Sequence, residues 1–147
     1  MSTNQTQPRV QFGICGIVCS LVYASALFTA THIALGHEEH PDLYAAQKEY
    51  YIDKAIQFLA YAVFTVIVGL GFVPMPEDPA ETISEQTFNR LLLVALAVGL
   101  FAVFDEGTQP FFGRNFEIAD CIANVLGIAF GLVGFLLLNE VRSHLET

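Results

Sequence analysis

The chain has no tryptophan, three cysteines, two methionines and only six lysines and arginines among its 147 residues. Each shortage excludes something. Without tryptophan, an aromatic belt at a membrane interface has to come from Tyr and Phe, and Tyr44, Tyr50 and Tyr51 stand where a belt belongs, just ahead of a hydrophobic run. An odd number of cysteines argues against a disulfide framework. Cys15 and Cys19 lie inside an apolar run and Cys121 opens another, so all three read as small core residues. Six basic residues against fifteen acidic ones leave a formal charge of -9, which excludes a nucleic-acid surface and a polybasic lipid clamp.

What the chain does have is hydrocarbon. Hydrophobic residues make up 54% of it and charged residues 14%, far from the roughly 25% charged of an average soluble protein. Four apolar runs, at about 10–35, 55–73, 88–104 and 121–138, have lengths suited to crossing a bilayer. A backbone in hydrocarbon must satisfy its own hydrogen bonds, so such runs are helices. The expectation is an all-α integral membrane protein, a four-helix transmembrane bundle. It forms one domain over 10–140, with a short disordered lead at 1–9 and a polar tail at 141–147. Ala24, Ser25 and Ala26 resemble a signal-peptide cleavage site, but Arg9 is the one basic residue ahead of them and the apolar run continues beyond, which favours a span.

The breaks are legible too. Pro74, Pro76 and Pro79 end the second run, and Thr82 with Glu85 resembles a capping box opening the third. The stretch 42–51 is read as a short helix leading into the membrane. His37-Glu38-Glu39-His40 lacks the four-residue spacing that puts two imidazoles on one helix face, so neither a metal nor a cofactor is expected. Four spans put both termini on one side. Arg9, Arg90 and Arg142 there balance Lys48, Lys54 and Arg114 opposite, and only if carboxylates hold Lys54 and Arg114 does the remaining count favour cytoplasmic termini.

The polar residues gather at helix ends. Asp53, Gln57 and Tyr61 follow at four-residue steps on one stripe of the second span. Asp120 and Asn124 share a face with Gly127, Gly131 and Gly134, and that glycine face admits a close neighbour, so the two polar residues should point inward. In the third span Ala95, Gly99, Ala102 and Glu106 line up as a packing face, with Asp105 about 80° away from it and Gln109 close to Glu106 if the helix continues one turn. Asp53, Lys54, Glu106, Gln109, Arg114, Asp120 and Asn124 would then meet near one membrane face. Capping and snorkelling explain either Asp53 with Lys54 or Asp120 taken alone, whereas convergence of three helix ends reads as a functional site. His32, with Ser25 and Thr29 before it, has a minor claim to join them.

These residues carry a family resemblance. Asp105-Glu106-Gly107-Thr108-Gln109, then Gly113-Arg114, then Asp120 to Gly127 resemble the VanZ-like family, whose members share DE-x-x-Q, an Arg and D-x-x-x-N-x-x-G in this order. Asp53-Lys54 with Phe58 and Tyr61 fits its second-helix motif, with Gln57 where the family often has His. The resemblance implies a small multi-helix protein of the cell envelope, in a family whose founding members are associated with teicoplanin resistance.

Three functions are compatible with these motifs. The first is a pocket for a polar, lipid-linked or cell-wall ligand, in which Arg114 and Lys54 hold an anionic group while Glu106, Gln109, Asp120 and Asn124 orient it. The second is a membrane-embedded hydrolase or transferase with Glu106 as general acid or base and Asp120 as its electrostatic partner, which requires a nucleophile the sequence does not reveal. The third, a proton-linked carrier, is the weakest, because no acidic residue lies at mid-membrane depth. Membrane lipids are expected partners of all three, and the sequence leaves open whether the chain is an enzyme and how many copies assemble.

Overall fold

A computed structural model of the chain describes residues 11–32, 43–73, 84–113 and 115–145. The N-terminal lead, His37 to His40, the three prolines after the second span, Thr82 and Arg114 lie outside the described residues. Four long helices are present: α1 (Gln11–His32), α2 (Leu43–Phe72), α3 (Glu85–Thr108) and α4 (Ile118–Leu145). A 3-10 turn, Gln109–Phe112, continues α3, and Gly113 closes it in the left-handed conformation at φ 79°. All four helices are long and apolar enough to cross a membrane.

Large apolar side chains such as Leu93, Leu100, Val103, Val125 and Phe130 are more than half exposed. Water would penalise so much contiguous apolar surface, whereas lipid would not. The four-helix membrane bundle is therefore what the chain forms, with α2 in contact with each of the others.

Close backbone approach explains the two tightest contacts. A Cβ on Gly127 would strike the carbonyl of Phe58, and one on Gly131 would strike Ala62 and Thr65, so the glycine face of α4 seats itself on α2 within one chain. Gly16 of α1 meets Gly71 of α2 in the same way. Halfway along α1 the Tyr23 hydroxyl donates to the Ala60 carbonyl at 3.0 Å, tying α1 to α2 a second time.

Several local expectations are corrected. The stretch before the second span is the first part of α2 itself, so Asp53 and Lys54 sit inside a continuous helix and cap nothing. The cap of α3 is Ser84, whose side chain accepts from the Thr87 backbone N–H at 3.2 Å. Cys15 and Cys19 are exposed on the outer side of α1, because Gly16, Ser20, Tyr23, Leu27 and Thr31 form its inward line. In α3 the buried line is Leu91, Val94, Val98, Ala102 and Asp105, and Gly99 meets nothing within 4 Å. Of the expected small-residue face, Ala102 and Glu106 are buried and Ala95 packs against the core, whereas Gly99 makes no contact and Val94 and Val98 take the central place.

Candidate functional site

The interior of the bundle is polar at one end. Exposed Tyr50, Tyr51, Phe111, Phe112 and Phe116 ring that end as an aromatic belt would. Gln57 follows the tyrosine pair by nearly two helical turns, about 10 Å along the axis. The polar cluster thus begins roughly a third of the way into a hydrocarbon core about 30 Å thick.

Glu106 is its centre and is 1% exposed. Its Oε1 accepts from Gln57 Nε2 at 2.6 Å and from Asn124 Nδ2 at 3.0 Å, joining α2, α3 and α4 through one oxygen. These contacts settle how the carboxamides are turned, since reversing either would set two acceptor oxygens against each other. The carbonyl oxygens of Gln57 and Asn124 consequently face away from Glu106, and neither has a hydrogen-bond partner among the described residues. Gln109, one turn beyond Glu106, is fully buried, and neither atom of its carboxamide has a partner among the described residues. The 3-10 turn opened by Pro110 holds Gln109 inside as α3 ends.

Lys54 occupies the mouth. Its ammonium pairs with the carboxylate of Asp120, with Glu117 at 2.8 Å and with Asp53 at 3.3 Å, and lies 4.9 Å from the centre of the Tyr50 ring. Asp120 is buried in the first turn of α4, whereas the Asp53 side chain is half exposed. The stripe of α2 that turns inward is therefore Lys54, Gln57, Tyr61 and Thr65, with Asp53 at its outer edge.

A second polar network was missed by sequence reasoning. Asp105 is fully buried and does not face away from protein: Thr31 Oγ1 donates to its Oδ1 at 2.8 Å and the Tyr61 hydroxyl to its Oδ2 at 3.1 Å. Adjacent residues of a helix point about 100° apart, so Asp105 and Glu106 address different neighbours, α1 with α2 and α2 with α4. His32 Nδ1 donates to the Phe28 carbonyl at 2.7 Å and lies 3.5 Å from Asp105, and its Nε2 is within hydrogen-bond distance of the Thr108 hydroxyl, at 2.9 Å. Ser25 and Thr29, which precede His32 on the same span, are exposed and return their hydroxyls to the carbonyls four residues earlier. The available signal was Thr31-His32 at the last turn of an apolar span, opposite a Tyr at the same depth.

Glu106, Asp120, Gln57, Tyr61, Gln109, Asn124 and Lys54 thus come together, Asp53 borders them, and Arg114 lies outside the described residues. Among the described residues no three His, Cys, Asp or Glu side chains are placed to hold a metal ion. The VanZ/LLP1 family model matches residues 20–139, which takes in α2 and α3 and most of α1 and α4. The chain belongs to the VanZ/LLP1 family. No curated protein and no solved structure matches it. The VanZ/LLP1 resemblance had been read from residue 53 onward, and the match extends it back over His32 and Thr31.

Proposed function

We propose that this VanZ/LLP1 protein holds a polar or lipid-linked envelope ligand in the cluster around Glu106 and so alters that ligand's exposure at one membrane face. One observation carries this reading: three buried carboxamides, of Gln57 and Asn124 on the Glu106 carboxylate and of Gln109 one turn beyond it, keep hydrogen-bonding atoms without a partner among the described residues. A buried donor or acceptor without a partner costs about 1–3 kcal/mol. A cluster that served only to hold helices together would be expected to use its donors and acceptors on one another. A ligand that engages them recovers the cost on binding.

The hydrolase or transferase reading has less support. Glu106 Oε1 is already engaged by two N–H donors from neighbouring helices. We also infer residence in the cytoplasmic membrane with both termini inside, since three carboxylates hold Lys54 and the loop around it therefore presents less free positive charge.

The test is Gln109→Leu, which keeps the volume and removes both unpartnered polar atoms. Expressed in a susceptible bacterial host, the variant should lose the resistance phenotype expected of the family. Its membrane abundance should be undiminished, and the purified protein should be more stable by about 1–3 kcal/mol. A destabilised variant that still confers the phenotype would make Gln109 a structural residue and remove the basis of the proposal.

A further inference from the structure

The structure assigns to His32 the role of a proton-operated latch: with a proton on both ring nitrogens its imidazole clamps the end of α1 onto α3, and loss of one of them loosens the clamp. This role is independent of what the Glu106 cluster holds.

α1 is the least enclosed of the four spans. Gly16 and Tyr23 tie its earlier turns to α2. Its polar and ring contacts with α3 and the 3-10 turn come from its last turn. There Phe28 stacks on Phe104, Thr31 donates to Asp105, and His32 reaches Asp105, Thr108 and the Phe112 ring. Whatever strengthens or weakens this turn therefore decides how firmly the end of α1 is held.

The atoms around the His32 ring are acceptors on both sides. Nδ1 lies 2.7 Å from the Phe28 carbonyl, 3.0 Å from Thr31 Oγ1 and 3.5 Å from Asp105 Oδ1. The carbonyl and the carboxylate only accept, and Thr31 gives its one proton to Asp105, so its oxygen presents lone pairs as well. Nε2 faces Thr108 Oγ1 at 2.9 Å, and that hydroxyl has two backbone carbonyls for its own proton, of Phe104 at 2.8 Å and of Asp105 at 3.0 Å. A neutral imidazole brings one N–H and one lone pair, so with Nδ1 protonated it sets a lone pair against Thr108 unless that hydroxyl turns away from both carbonyls. An imidazolium donates from both nitrogens and meets an acceptor at each.

The charge suits the place as well. Asp105 supplies a carboxylate, the last turn of α1 favours a cation, and the Phe28 ring stacks on the imidazole with centroids 3.9 Å apart. Of the elements packed here, α3 brings Asp105, and α2 brings Tyr61, whose hydroxyl donates to the second oxygen of Asp105. The 3-10 turn, Gln-Pro-Phe-Phe, carries no titratable side chain, and Glu106 is turned to Gln57 and Asn124. A folded state that holds the imidazolium takes up a proton on folding, so the stability conferred by the latch rises as the pH falls.

The experiment follows the purified full chain in phosphatidylcholine nanodiscs from about pH 5 to about pH 9, which brackets the titration of imidazoles. Thermal unfolding is compared between wild type and His32→Gln, and the subtraction removes the titration of every other group. The advantage of wild type in unfolding temperature should be at least about 3 °C larger at the acid end, the equivalent of a hydrogen bond to a charged group. Asp105→Asn should abolish this acid-dependent part, and Thr108→Val, which removes the acceptor at Nε2, should reduce it. Hydrogen exchange on wild type alone gives a second reading that needs no variant to fold. After correction for intrinsic rates, the backbone amides of residues 28–32 should be protected at least about tenfold better at the acid end. A wild-type advantage that stays constant with pH would make His32 a link without proton dependence and overturn the latch. One that grows toward the alkaline end would overturn it in favour of a neutral ring that accepts from Thr108. Amide protection at 28–32 that is flat, or falls toward acid, would overturn it whatever the variants do.

Discussion

Replacing Lys54 with Met removes the ammonium that Asp120 faces but keeps most of the apolar stem. Asp120 is 1% exposed, so its carboxylate would be left in the bundle beside Glu117 with its principal counter-ion gone. Breaking a buried ion pair from one side costs about 3–5 kcal/mol. Two features lower that figure here. The Lys54 side chain is 14% exposed, and the pair lies near the end of its helices, where a charge costs less than at the membrane centre. A loss of about 2–3 kcal/mol is therefore expected for Lys54→Met, measured by reversible unfolding in mixed micelles with increasing SDS. Adding Asp120→Asn removes the orphaned charge, so the double variant should return to within about 1 kcal/mol of wild type. A cost for Lys54→Met below about 0.5 kcal/mol, the value of a solvated surface pair, would refute the reasoning. Strictly additive costs in the double variant would refute it as well.

Glycine substitutions test the packing. Gly127→Ala and Gly131→Ala put a methyl against the backbone of α2, which no side chain can absorb, and each should cost about 1–3 kcal/mol in the same unfolding assay. Gly99→Ala meets nothing within 4 Å and should be neutral or stabilising by up to about 1 kcal/mol, as helix propensity dictates. Tyr61→Phe removes a donor from buried Asp105 and should cost about 1–2 kcal/mol. The same change at Tyr23, whose hydroxyl reaches a neutral carbonyl, should cost less.

Legibility followed the kind of signal each residue carries. Gly127 and Gly131 were read as a close-packing face, and α2 lies against them, because small residues at helical spacing have few other uses in a membrane. The same reasoning held for Ala102 and Glu106 of α3, which are buried, but not for Gly99, where Val94 and Val98 pack instead. Glu106, Gln57 and Asn124 were expected near one another and are joined by hydrogen bonds. Asp105 was set aside because a single inward face was assumed for α3, whereas a helix touching two neighbours buries two adjacent residues. Cys15 and Cys19 were taken for core on hydrophobicity alone, which in lipid does not separate inside from outside.

Taken alone, the sequence determined that the chain crosses a membrane four times as helices and that its polar residues collect at one end. Apolar length and the cost of an unpaired backbone in hydrocarbon depend on the order of residues and on nothing else. Which partner each polar side chain has was decided only when the helices were rotated and stacked. Hydrogen bonds to Glu106 and Asp105 come from residues 18 to 74 positions away, and a helix turned by one residue exchanges one neighbour for another. The carbonyl oxygens of Gln57 and Asn124, without a partner among the described residues, exist only as the remainder of that pairing.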